Sequence, residues 1–178
     1  MDIQYIRASS DDELHQILDL QKQNTFFSIT HLEKEKEGFI TVSHDFDILK
    51  RMNAQCQHII AKHDNRVVGY ALAMLPSFRN EIPVLVPMFE VADSLLVGKR
   101  YIIMGQICVN KDYRKKGIFR RMYAFYKAEL QHKFDCLFTE VATHNQRSLQ
   151  AHLSIGFRVI KTQTTDGISW ELMEWDWS

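Results

Sequence analysis

No stretch of the chain approaches the roughly 20 consecutive apolar residues that a membrane-spanning helix requires. The first residues, Met1 to Arg7, also lack the basic start and apolar run of a secretory signal. A soluble, cytoplasmic protein with no membrane partner is the default expectation. Charge of either sign is not in excess: 22 Lys and Arg stand against 22 Asp and Glu. A dedicated nucleic-acid binder carries a basic surplus, so nucleic acid is set aside as a partner, and any anion must be held by a local feature. Cysteine is scarce and odd in number, with Cys56, Cys108 and Cys136 far apart among strand-like residues. Reduced, packed thiols suit this better than a disulfide framework or a zinc site. No two of the eight histidines have His-x-x-x-His spacing, so no metal is expected.

What the chain does have is 46% apolar residues over 178 positions, enough for one substantial core and too little for two. One domain over residues 1–178 is expected. A strand at Ile3 to Arg7 gives way to Ser9-Ser10-Asp11-Asp12-Glu13, a helix start in which a short side chain caps and Glu13 adds favourable charge. Leu14, Ile17, Leu18 and Gln21 follow at helical spacing, and Phe46, Leu49 and Met52 mark a second helix near Ser43 to Asn53. His58 to Lys62 and Val67 to Met74 read as a hairpin across His63-Asp64-Asn65-Arg66. Between Pro76 and Gly98 the chain carries Pro83 and Pro87 with few helix signals and reads as a long excursion. Tyr101 to Val109 is nearly all apolar, as in a central strand covered on both faces. A helix over about Lys116 to Gln131, a strand from Cys136 to Val141, a helix from Asn145 to Ile155 stopped by Gly156, and strands at Phe157 to Thr162 and Trp170 to Trp175 complete the pattern. Strands that first form hairpins and later alternate with helices imply a mixed α/β sheet with helices on both faces.

The chemistry concentrates at Arg114-Lys115-Lys116-Gly117-Ile118-Phe119, between a buried strand and a helix. Unpaired backbone N–H groups at a helix start form an anion site, Gly117 lets the backbone come close to a ligand, and Arg114, Lys115, Lys116, Arg120 and Arg121 add positive charge. A basic, solvated helix start explains the charge equally well; the strand-turn-helix context favours a phosphate.

These residues resemble the Gcn5-related N-acetyltransferase (GNAT) superfamily, whose cofactor motif is Arg or Gln, two residues, Gly, one residue, then Gly or Ala. Arg114, Gly117 and the position of Phe119 align with it. Phe119 departs from the motif, because a small residue is usual there, so its ring must turn away from the phosphates. A second match is Asn145, Ser148, His152 and Gly156-Phe157; at about 100° per residue, these positions form one stripe of a helix. The family pattern there is Asn, then Ala or Ser, then commonly Tyr, then Gly-Phe.

The resemblance covers the chain from about Gln57 onward and implies a central mixed, mostly antiparallel sheet. It implies acetyl-CoA as cosubstrate, with the pyrophosphate on the amides of Arg114, Lys115, Lys116, Gly117, Ile118, Phe119 and Arg120. It places the pantetheine arm along Ile107, Cys108 and Val109 with Asn145 and Ser148 nearby. The reaction implied is direct acetyl transfer to a primary amine of a small molecule or peptide, by a monomer or homodimer.

Such a transfer needs a base for the amine and a proton for the departing thiolate. His152 stands where the family often has tyrosine and is the candidate acid; Glu140, on the strand after the cofactor helix, is the candidate base. His144 is an alternative base, and Gln106 a residue that orients the acceptor. The acceptor pocket is expected from the irregular segments, with Phe26, Phe27, Phe39, Phe78, Met88 and Phe89 as walls and Glu81, Glu90 and Asp93 attracting a cation. Two rivals remain: a non-catalytic acyl-CoA sensor of the same fold, and a nucleotide-binding protein using the Arg114 turn for another phosphate.

Overall fold

The structure is a computed structural model that describes residues 1–25, 40 and 42–178. Its strands are β1 (Gln4–Arg7), β2 (Ile59–His63), β3 (Arg66–Met74), β4 (Tyr101–Val109), β5 (Cys136–Ala142), β6 (Arg158–Thr165) and β7 (Ile168–Asp176). The described helices are α1 (Asp11–Lys22), α2 (Phe46–Gln55), α3 (Val86–Leu95), α4 (Ile118–Leu130) and α5 (Gln146–Leu153). Among the described residues, all strands join one seven-stranded sheet in the order β1-β2-β3-β4-β5-β7-β6. Every pairing is antiparallel except that of β4 with β5. The mixed, mostly antiparallel sheet expected from the sequence is therefore present.

Strand alternation sorts the core into two layers. Leu14 and Ile17 of α1, Leu49 and Met52 of α2 and Phe89 of α3 pack with Tyr70, Ile103 and Phe138 on one face. Met122, Tyr123 and Tyr126 of α4 pack with Ile59, Ala71, Leu137 and Met173 on the other.

The local chemistry explains most element ends. Ser10 and Glu13 form a reciprocal capping box at α1. The Glu13 carboxylate also pairs with Lys62 of β2 at 2.8 Å, tying the helix to the sheet. The β2–β3 turn places Asp64 and Asn65 at φ 48° and 64°, the left-handed conformation of a tight hairpin. The expected structureless excursion is corrected here: residues 76–98 contain α3 and two short 3₁₀ turns. Pro83 and Pro87 read as breakers, yet Pro87 is the second residue of α3, where no intrahelical N–H partner is lost. Among the described residues, no helix is long and apolar enough to cross a membrane, and no cluster of His, Cys, Asp and Glu could hold a metal.

Candidate functional site

The site begins where β4 and β5 part. Their parallel register runs only over Tyr101–Cys136, Ile102–Leu137 and Ile103–Phe138, after which the strands diverge. The Thr139 hydroxyl donates to the Met104 carbonyl at 3.0 Å and pegs the apex of the opening. On its other edge β4 holds an extra residue: Ala71 pairs with Ile107 and Ala73 with Met104. This bulge inverts the side-chain alternation, so Ile103 and Cys108 face the same core although five positions separate them. The Asn110 N–H donates to Val68 at 2.8 Å, which by antiparallel alternation turns the backbone groups of Ile107 and Val109 toward the opening. The extra residue falls at Gly105-Gln106, the break in an otherwise apolar run.

Beyond β4, a 3₁₀ turn at Lys111–Tyr113 leads into residues 114–117. Lys115 and Gly117 adopt φ 61° and 78°, and no side chain caps α4, leaving its first amides open. A Cβ on Gly117 would touch nothing within 4 Å, so the positive φ is what asks for glycine. α4 begins at Ile118, two residues later than the pattern implied. The positive charges do not act alike. The Arg114 guanidinium donates to the Val109 carbonyl at 3.0 Å and to Asn24 Oδ1 at 2.7 Å, tying α1 to the end of β4. Lys116 turns back onto the Asp112 carbonyl at 2.7 Å and lies over the Tyr113 ring. The side chains of Lys115 and Arg120 are exposed and line the cleft.

The cleft is a cavity of about 440 Å³ lined by Ile107, Cys108, Val109, Arg114, Lys115, Gly117, Ile118, Phe119, Arg120 and Ser148, ten of the positions expected to hold a cofactor. Arg147, Gln150, Ala151 and Ser154 of α5 and its C-terminal end complete the far wall, and sequence reasoning did not single them out. Lys116 lies outside this lining. Asn145 lies on an adjoining cavity of about 90 Å³ and caps α5 through its Oδ1, which accepts from the Ser148 N–H. Ile40, Ile107 and Ser148 border both cavities and mark where they meet.

Phe119 points its ring at α5, edge-on to Tyr123 at 5.0 Å and to His152 at 5.4 Å between centroids. It therefore fills the space between two helices and leaves its own amide at the helix start.

His152 corrects an expectation. It is 1% exposed, and both ring nitrogens are engaged: Nδ1 with the Ser148 carbonyl and Nε2 with the Tyr123 hydroxyl, each at 2.7 Å. Burial depresses its pKa to about 4, so the cationic form expected of an acid near neutral pH is not populated. Tyr123 was missed because it reads as one more aromatic in the α4 core.

Glu140 lies on the wall of the smaller cavity, and its carboxylate has no hydrogen bond or ion pair among the described residues; the arginine partner a strand-end carboxylate commonly finds is not among them. Desolvation raises its pKa to about 7, where a carboxylate can both take and release a proton at neutral pH. Gln106 lies near it but is spent on structure, accepting from Tyr70 and Gln21 and donating to the Val42 carbonyl. His144 is exposed and outside both cavities.

The acceptor walls are corrected in part. Met88 borders the smaller cavity, but Phe78 and Phe89 are core residues, and Phe26, Phe27, Phe39 and Thr41 lie outside the described residues. Of the acidic candidates, Glu81 pairs with Arg51 and Asp93 with Arg79, and Glu90 is exposed; none of the three lines either cavity. Val42, Leu85 and Trp170 supply apolar wall instead.

A model of the acetyltransferase (GNAT) family matches residues 14–157. The chain belongs to the GNAT acetyltransferase family. Among solved structures, this GNAT chain resembles the NatC complex bound to Gag peptide and CoA, with a TM-score of 0.71, 13% identity and full coverage of both chains. It resembles polyamine N-acetyltransferase of Drosophila melanogaster at TM-score 0.70 and 14% identity, over 98% of this chain and 100% of that one. The ribosomal-protein-S18-alanine N-acetyltransferase of Escherichia coli follows at 0.66 and 14%, over 98% and 94%. Identities this low carry the fold alone. No curated protein matches the GNAT sequence.

Proposed function

We propose that the protein transfers an acetyl group from acetyl-CoA to a primary amine by direct attack, with Glu140 as the base. The observation that carries this reading is that the two cavities share Ile40, Ile107 and Ser148 in their walls. Open amides at the start of α4 lie at one end, the backbone of Ile107 and Val109 lies along the middle, and an unpaired carboxylate lies past the junction at Ser148. The pyrophosphate sits on the amides of Lys115 to Phe119, with Lys115 and Arg120 adding charge. The pantetheine runs along the parted edge of β4. A peptide amine, as in the Gag-peptide complex of NatC, and a small amine, as for the polyamine enzyme, are the two acceptor classes to test; the smaller cavity accepts the amine in either case.

The amine must be neutral to attack. Glu140 takes the proton that the neutral amine loses as the C–N bond forms, directly or through one water, and the parted strands aim the thioester carbonyl at the junction. The sensor reading draws on the lack of a free N–H at His152, and the raised pKa of Glu140 speaks for turnover. Calorimetry with acetyl-CoA, followed by a thiol-release assay over a panel of amines and short peptides, separates them. Release that depends on the amine supports the transferase; tight binding without release from any acceptor supports the sensor.

A further inference from the structure

The departing sulfur needs a hydrogen-bond donor, and His152 has none to offer. The Ser148 carbonyl can only accept, so the proton of the neutral ring sits on Nδ1, and Nε2 accepts from Tyr123. The Ser148 hydroxyl oxygen lies 3.4 Å from the same Nδ1, so toward this neighbour it too can only accept. Its hydrogen has no acceptor among the described residues. Among the other polar side chains of the smaller cavity, Thr139 donates to Met104 and Gln106 to Val42, and Asn145 and Trp170 border the smaller cavity alone. Among the described residues, Ser148 is the one hydroxyl that borders both cavities, and it is half-buried.

We propose that the Ser148 hydroxyl donates a hydrogen bond to the CoA sulfur as the thioester breaks, with His152 and Tyr123 acting as positioning residues behind it. The proposal rests on the acetyl-CoA reading above. In the step itself, the amine lone pair forms the C–N bond and the C–S bonding pair passes to sulfur. The amine proton goes to the Glu140 carboxylate. The thiolate keeps its charge against the Ser148 O–H, which retains its own proton, and takes a proton from water on release. A charge-assisted O–H bond of this kind is strong in a cleft with low dielectric constant.

The decisive readout is the thiol of bound CoA, titrated by the ultraviolet absorbance of its thiolate on the parent protein, Ser148→Ala and Ser148→Thr. The expected result is a thiol that titrates below free CoA on the parent, moves up by about one unit in Ser148→Ala, and returns in Ser148→Thr. With acetyl-CoA and an amine, Ser148→Ala should lower kcat about 10- to 100-fold at nearly constant KM for acetyl-CoA. Alanine is a good helix former at this position, and a melting curve checks that the fold holds. A bound thiol that titrates identically on the parent and Ser148→Ala overturns the proposal. Failure of the parent to bind CoA at all, seen before any titration, overturns the acetyl-CoA reading and this proposal with it.

Discussion

The Tyr123 hydroxyl donates to His152 Nε2 at 2.7 Å inside the α4–α5 interface, and this bond, with the Ser148 carbonyl on Nδ1, fixes the tautomer of a histidine that burial keeps neutral. The ring is neutral, fixed in one tautomer, and enclosed by Phe119, Tyr123 and Phe157. His152 therefore holds α5 in place and does not titrate near neutral pH.

Removing the phenol alone tests this state. Tyr123→Phe leaves a buried acceptor unsatisfied and should cost about 1–3 kcal/mol in urea unfolding. His152→Ala opens a cavity and should cost about 2–4 kcal/mol. Because the folded pKa of His152, about 4, lies below the ordinary 6.5, the unfolded chain binds the extra proton first as pH falls. This residue's contribution is intact above pH 6.5 and lost progressively toward pH 4. An NMR titration of His152 with a midpoint near 6.5 would contradict the assignment.

Glu140 titrates in the opposite sense. Its folded pKa, about 7, lies above the ordinary 4.5, so folding stability falls as pH rises from 4.5 to 7. Glu140→Gln lacks that fall and should be more stable than the parent at pH 8, by on the order of 1–3 kcal/mol, with little difference at pH 4. Activity moves the other way: kcat/KM should rise with pH through about 7 in the parent and drop about 100-fold or more in the variant. Paired melts and rate profiles at several pH values check both halves.

The basic residues of the turn should divide into two classes. Arg114→Ala cuts the tie between Asn24 and Val109 and should lower stability by about 1–2 kcal/mol even without ligand. Lys115→Ala and Arg120→Ala should leave stability within about 0.5 kcal/mol and weaken CoA binding in a salt-dependent way. Denaturation curves and calorimetry at two ionic strengths distinguish them.

The strand-turn-helix order around Gly117 and the Asn145 to Gly156 stripe were legible in the sequence because both depend on local spacing. So were the hairpin at Asp64-Asn65 and the cap of α1. The partners of the polar groups were not. Arg114 reaches a residue 90 positions away, and Gln106 one 85 away, and no local pattern records either. His152 could be placed on the correct face of its helix, but its charge state is set by how deeply the α4–α5 interface buries it, and its tautomer by a tyrosine on another helix and the Ser148 carbonyl. The bulge of β4 falls at Gly105-Gln106, where a glycine inside a strand run is a signal that a reading of the run as simply apolar passes over.

The most direct test is calorimetry with acetyl-CoA on the parent protein and on Gly117→Glu, alongside thermal shifts with acetyl-CoA, ATP and NAD. The positive φ at residue 117 strains any side chain there, and a carboxylate beside the open amides would repel a pyrophosphate. The expected result is one acetyl-CoA site on the parent and none on a folded Gly117→Glu, with acetyl-CoA at ~100 times its Kd adding ~2.7 kcal/mol of stability. Unchanged binding by Gly117→Glu, or stabilisation of the parent by ATP or NAD and not by acetyl-CoA, would contradict it.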